Sequence, residues 1–265
     1  MWPTVDQLEE IVKPLAREIL VPSFGKCEYT YKDDDSIVTE ADLSMQQGLE
    51  RELLKRWPDY AILGEEMTES EQQAVINSQS GYWCIDPLDG TNNFASGLPF
   101  YAVSIALIID GEQILGFIYD PSREEVFFAE KGKGASLNGS RLNGNFKSVD
   151  AKRAIAEIDM KRLPAGLAKR LVTEEPFGSQ RNIGSSALDW CWLAAGRYNI
   201  YLHGGQKLWD YAAGCLILQE AGGTAISLDG EPVFRGRLET RSALASLDKS
   251  LFDQWVDWIK LPVTS

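Results

Sequence analysis

Apolar residues recur at helical spacing near the start of the chain. Leu8, Ile11, Val12, Leu15 and Ile19 follow a Thr4…Gln7 pair of the capping-box type, so an amphipathic helix is predicted there. A second helix is predicted from about residue 40 to Trp57, because Pro58 disfavours helix in the residue before it. Short apolar runs at 61–63 and 82–85 predict strands. The first delivers Gly64-Glu65-Glu66 and the second ends at Asp86. Strand-like runs at 101–109, 113–119 and 125–129 are separated by Asp110-Gly111 and Asp120-Pro121, which predicts an antiparallel meander. Residues 132–134 and Asn138-Gly139 read as turns. Past residue 150 strands and helices alternate. Helices are predicted at 185–196, 209–221 and 248–260, the middle one closed by Gly222-Gly223. No internal repeat, low-complexity tract or linker interrupts the pattern, which predicts sheets layered with helices.

Composition narrows the function. Twenty-six Lys and Arg against 39 Asp and Glu give 26 − 39 = −13, which argues against a nucleic-acid or anionic-membrane partner. The one histidine, His203, would have to serve any Ser-His-Asp triad, and His-rich zinc sites are excluded. Cys27, Cys84, Cys191 and Cys215 form no Cys-x-x-Cys pair and read as buried thiols of a reducing compartment. Asp6, Glu9 and Glu10 stand where a signal peptide needs a basic start and an apolar run. The longest apolar run, 98–109, is too short to span a bilayer. A soluble cytoplasmic protein is expected.

The chemistry concentrates in Ile85-Asp86-Pro87-Leu88-Asp89-Gly90-Thr91-Asn92-Asn93-Phe94. Two aspartates three residues apart sit where a strand ends, with Pro87 stiffening the turn and Gly90 freeing it. Both carboxylates can face one space, with the Leu88 carbonyl between them. Such hard oxygen donors suit Mg²⁺, which also removes the repulsion of packed like charges. A polar surface turn explains Asp-Pro-x-Asp-Gly alone equally well. Gly64-Glu65-Glu66 offers two more carboxylates, or a solvated loop. Trp209-Asp210 opens a helix, where Asp210 is either a ligand or a cap, and Thr39 in Val38-Thr39-Glu40-Ala41-Asp42 reads as an N-cap.

Taken in order, these segments resemble the inositol monophosphatase family of Mg²⁺-dependent phosphatases. Val38-Thr39-x-x-Asp42, Gly64-Glu65-Glu66, the string from Asp86 to Phe94, and Trp209-Asp210-x-Ala212-Ala213-Gly214 carry the resemblance, with Glu220-Ala221-Gly222-Gly223 as a weaker fifth match. The resemblance implies an α/β (α+β) fold, a layered αβαβα sandwich, usually a homodimer, and lithium sensitivity. It implies one domain over 1–265, with 1–150 a metal-binding half and 151–265 completing the site. It implies two to three Mg²⁺: one held by Glu65, Asp86 and the Leu88 carbonyl, a second by Asp86, Asp89 and Asp210, and a weaker third touching Glu65. Thr91 with Asp42 would orient the attacking water, Glu65 belongs to the same catalytic group, and Asp89, Gly90, Thr91 and Asp210 would also meet the substrate. Phosphate-ester hydrolysis needs charge neutralisation and an in-line water rather than a histidine, which agrees with this set.

Substrate signals are mixed. The segments 89–94 and 97–105 resemble the inositol and sugar phosphatase branch. The segment 32–39, with its run Asp33-Asp34-Asp35, and Gly184-Ser185-Ser186 resemble the branch that removes the 3′-phosphate of adenosine 3′,5′-bisphosphate. Ser185 and Ser186 are therefore substrate candidates. The family's substrate-contacting glutamate, a few residues before Trp-Asp, has no acidic counterpart in 201–208; His203 lies at or beside its place, either as a substrate contact or as an ordinary surface-loop histidine. The leading expectation is a Mg²⁺-dependent phosphomonoesterase of inositol monophosphate or a related sugar or polyol phosphate; the alternative is a 3′(2′),5′-bisphosphate nucleotidase. The eight tryptophans read as packing residues.

Overall fold

The computed structural model describes residues 2–32, 36–78, 81–144 and 146–261. The run Asp33-Asp34-Asp35 lies outside the described residues. Helix α1 (Val5–Leu15) opens with the expected box: the Gln7 N–H donates to the Thr4 hydroxyl at 3.3 Å, and the Thr4 N–H to the Gln7 carboxamide at 3.0 Å. Pro14 withholds a backbone donor, and the next residues wind as a π-turn, Ala16–Leu20, before a last turn α2 (Val21–Ser23). The hairpin β1 (Tyr29–Tyr31) and β2 (Ile37–Thr39) feeds α3 (Glu40–Arg56), which ends before Pro58 as expected. Strand β3 (Ala61–Gly64) leads to α4 (Glu69–Asn77), a helix the apolar pattern does not predict. Its Thr68…Glu71 capping box is present, but Gln72 is the one residue of it that is buried. Strand β4 (Tyr82–Asp89) runs beyond its predicted end through both aspartates and turns into α5 (Thr91–Ala95).

The meander forms as predicted from β5 (Ala102–Ile109), β6 (Glu112–Asp120) and β7 (Glu125–Glu130). The turns at 132–134 and 138–139 bracket two further strands, β8 (Gly134–Leu137) and β9 (Ser140–Leu142). The second half contributes β10 (Ile155–Asp159), the unpredicted α6 (Ala165–Glu174), β11 (Ser179–Arg181) and α7 (Ser186–Ala194). It continues with β12 (Ile200–Gln206), α8 (Leu208–Glu220), β13 (Thr224–Ile226), β14 (Arg241–Ser246) and α9 (Lys249–Ile259). The stretch 201–208 expected as a loop is mostly strand β12, because Ile200, Tyr201 and Leu202 bury themselves between α7 and α9.

Two sheets result. One runs β3-β4-β5-β6-β7-β8-β9, with β3 and β4 parallel and the rest antiparallel; the other runs β11-β10-β12-β14-β13. Period-two alternation sets the layers. Trp83, Ile85, Val103, Ile105 and Leu107 face the apolar sides of α1 and α3. Cys84, Ala102, Ala106 and Ile108 face α7 and α8, which lie between the sheets. The far side of the second sheet packs Ala156, Ile158, Leu202 and Leu244 on α6 and α9. The order α, β, α, β, α is the layered sandwich expected from the resemblance. The inner layer is close: a Cβ on Gly116 would stand 2.6 Å from the Ala213 carbonyl of α8. That approach carries the start of α8 toward the end of β4. Trp83, Trp190 and Trp255 are fully buried, as packing residues should be, whereas Trp2 is exposed. The four cysteines are free, and no helix among the described residues is long and apolar enough to cross a membrane.

Candidate active site

The irregular end of β4 turns Asp86 and Asp89 into one space, and the first turn of α8 brings Asp210 to meet them. Each offers a carboxylate oxygen within 4.8 Å of the others. One oxygen of each is tied to the chain. Asp86 Oδ1 accepts from the Leu88 N–H at 3.0 Å, and Asp210 Oδ2 from the Lys207 N–H at 2.8 Å, its capping role. Asp89 Oδ2 accepts from the Ala187 N–H at 2.9 Å and from the Ser185 hydroxyl. Burial, then the neighbouring carboxylates, pushes Asp86 and Asp210 well above the usual carboxylate range. Asp89 is pushed up to about 6 by burial, although its hydrogen bonds pull the other way. Packed acids of this kind repel one another, and a hard divalent cation with oxygen preference removes the cost. The donor set fits such an ion.

Glu65 stands outside this trio but near enough to raise Asp86 and Asp210. Its backbone is clamped: the Gln72 amide donates to the carbonyls of Gly64 at 2.9 Å and Glu65 at 3.3 Å, and the Glu66 N–H donates to Gln46 at 2.9 Å. Lys32 Nζ lies 2.9 Å from Glu65 Oε1 and 2.6 Å from Glu66 Oε1. Burial and the charge of Glu65 push Glu66 up to about 7 against the pull of Lys32.

The proposed water-orienting pair is in contact. Thr91 Oγ1 lies 2.9 Å from Asp42 Oδ1 and 3.0 Å from the Leu88 carbonyl. Asp42 also accepts from the Thr39 hydroxyl at 2.6 Å and N–H at 2.8 Å, so Thr39 is the N-cap foreseen and Asp42 serves cap and site together. Gly90 has φ +90°, and a Cβ there would meet the Phe100 carbonyl at 3.0 Å; the sharp turn from β4 into α5 needs a glycine.

A cavity of about 170 Å³ joins these groups to a second wall. Ser186, Gly90, Thr91 and Asp210 line it. Ser185, expected to meet substrate, lies beneath the wall, 1% exposed, with its hydroxyl given to Asp89. His203 is no surface-loop residue: it is 4% exposed in β12, Nε2 3.3 Å from Asp159 Oδ2 and Nδ1 accepting from the Gly205 N–H at 3.1 Å. Both ring nitrogens are committed, and burial holds its pKa below the usual histidine value, so the ring is neutral at pH 7. Sequence reasoning missed Asp159, Arg162, Asn182 and Asp189, which line the same wall. Arg162 Nε is 3.2 Å from Asp159 Oδ2. The available signals were an aspartate at the end of an apolar strand, Asp159, and an acid inside the otherwise apolar helix α7, Asp189.

Comparison with known proteins agrees with this geometry. A model of the inositol monophosphatase family matches residues 5–256. An inositol-1-monophosphatase of Mesorhizobium japonicum is 37% identical over 212 residues, covering 77% of this chain and 76% of that protein. A protein of Haemophilus influenzae named Nus factor SuhB is 38% identical over 212 residues, covering 76% of each. Among solved structures, the extragenic suppressor protein SuhB of Bartonella henselae superposes with a TM-score of 0.83 at 29% identity, over 96% of this chain and 97% of that one.

Proposed function

The chain belongs to the inositol monophosphatase family and is a phosphoric monoester hydrolase of a metal-dependent family, and from that premise we propose that it hydrolyses inositol monophosphate or a related sugar or polyol phosphate with Mg²⁺. The observation that carries the reading is the convergence of Asp86, Asp89 and Asp210, each with one oxygen anchored by the chain. These three, Glu65 and the Leu88 carbonyl would hold two to three ions. When bound, Mg²⁺ supplies charge neutralisation at the phosphate and makes water easier to deprotonate.

The chain's own residues divide the remaining work. Thr91 has one hydroxyl proton. Asp42, buried and already fixed by Thr39, accepts it, which leaves the Thr91 oxygen lone pairs to orient a water. That water attacks phosphorus in line and gives up one proton to solvent, the phosphorus–oxygen bond to the alcohol breaks, and the alcohol takes up one proton from solvent as it leaves, so the protons balance. The N–H groups of Gly90 and Thr91 face the phosphate oxygens at the start of α5. Ser186, His203 and Asp210, which line the cavity, would meet the substrate. The net charge of −13 supports a small anionic ester held through cations rather than a nucleic acid. We further infer one functional domain acting as a cytoplasmic homodimer; the four free cysteines support a reducing compartment.

The test is phosphate release from inositol 1-phosphate, adenosine 3′,5′-bisphosphate, fructose 1,6-bisphosphate and histidinol phosphate, with Mg²⁺ and with chelator. Mg²⁺-dependent release from inositol 1-phosphate is expected. Release from adenosine 3′,5′-bisphosphate alone would assign the nucleotidase reading, and no release from any of them overturns the phosphatase reading.

A further inference from the structure

Asp189 is out of place by the rules of its own helix. Its neighbours on α7, Ala187, Leu188, Trp190, Cys191, Leu193 and Ala194, are buried and apolar or weakly polar. Asp189 is itself 4% exposed. Its Oδ1 is sealed from water without a hydrogen-bond partner, and no ion pair reaches it among the described residues. A buried carboxylate left in that state is costly. The other acids of the cavity are satisfied by the chain: Glu65 by Lys32, Asp89 by Ser185 and Ala187, Asp159 by His203 and Arg162, and Asp86 and Asp210 by backbone N–H groups. Asp189 nonetheless lines the cavity, one helical turn beyond Ser186. The charges nearest it are those of Glu157, Asp89 and Asp159, and Glu157 Oε2 is likewise buried without a partner, although Glu157 does not line the cavity.

His203, expected as a substrate contact, has both ring nitrogens spent within the chain. Of the acids that line the cavity, Asp189 is the one with a buried oxygen that no donor of the described residues meets. We propose that Asp189 is the specificity residue that accepts a hydrogen bond from a hydroxyl or ammonium on the alcohol half of the substrate. The inference rests on the phosphatase reading above.

The test compares wild type with Asp189→Asn on inositol 1-phosphate, which carries hydroxyls, phosphoethanolamine, which carries an ammonium, and phenyl phosphate, which carries neither. The substitution should raise KM about tenfold or more for whichever donor-bearing ester the wild type prefers, with kcat and the Mg²⁺ requirement little changed. KM for phenyl phosphate should move by less than about twofold. The arm that moves identifies the donor. Equal changes on all three esters, or none, overturn the proposal. Should Asp189→Asn fail to fold, the wild-type KM values decide: no preference for either donor-bearing ester over phenyl phosphate overturns it. A wild type that releases no phosphate from any of the three esters with Mg²⁺ overturns the phosphatase reading itself, and the subsite with it.

Discussion

The two ends of the cavity are built on different principles. At one end, each acid also does a local structural job. Asp42 caps α3, Asp210 caps α8, Asp86 pins the turn at Leu88, and Asp89 binds the first turn of α7. At the other end, Asp159, Arg162, His203 and Asp189 come from β10, the turn after it, β12 and α7; Asp159 and Arg162 pair locally, while His203 and Asp189 are brought beside them by tertiary packing. The first end is rigid and suited to one charge problem, a phosphate and its ions. The second draws on elements further apart in the chain, although Asp159 caps the turn after β10 and His203 holds the Gly205 N–H. Chemistry common to a family belongs at the first end, and substrate choice at the second.

The largest expected effect breaks the first end. Asp89→Asn should lower kcat by more than about a thousandfold, the scale of several kcal/mol at a metal centre. The same change relieves repulsion, so the metal-free variant should melt higher than the metal-free wild type. Turnover and melting curves with Mg²⁺ and with chelator check both signs, and wild-type-like turnover contradicts the assignment. Next is Thr91→Ala, expected to cost about 10²–10⁴-fold in kcat with little change in half-saturating Mg²⁺; an unchanged kcat would make Thr91 a helix-start residue only.

Ser185→Ala sharpens the contrast between the two ends. If Ser185 serves Asp89, the loss is about 1–3 kcal/mol of stability and weaker Mg²⁺ activation, with KM for different esters shifting together. A change in ester preference without loss of stability would return it to the substrate wall. The smallest effect concerns the second end. Folded His203 sits below its usual pKa because it is buried, so below about pH 6.5 the unfolded chain takes up a proton that the folded chain refuses. Stability from this group is full above that pH and declines as pH falls. His203→Gln lacks that slope, and the difference in Tm between wild type and variant should shift against the wild type from about pH 7.5 to about pH 5.5. A constant difference contradicts it.

The same contrast explains what could be read from residues alone. Sheets layered with helices were legible from the apolar runs and capping residues, and the αβαβα order from the resemblance; Thr4 and Thr39 cap as their spacing predicts, while Asp210 sits at the third position of α8 and accepts from Lys207. The metal end was legible because its carboxylates sit within short strings. Helices α4 and α6 were not, because each buries a single residue, Gln72 in α4 and Leu171 in α6. The reading of 201–208 as a loop failed because His203, Gly204 and Gly205 look like loop residues; pairing with β10 and β14 overrides that local preference. Asp189 was hidden for a related reason. An acid among apolar neighbours was its one signal, and what that acid faces is settled only when the fold lays α7 against the cavity.

The central claim is that metal held at Asp86, Asp89 and Asp210 drives ester hydrolysis. The most direct measurement strips the protein with chelator, then titrates Mg²⁺ while following phosphate release from phenyl phosphate in wild type and in Asp210→Asn. The account predicts no release without metal, saturable activation in the wild type, and none in the variant over the same range. Equal activation of both proteins, or release from the stripped wild type, would contradict it.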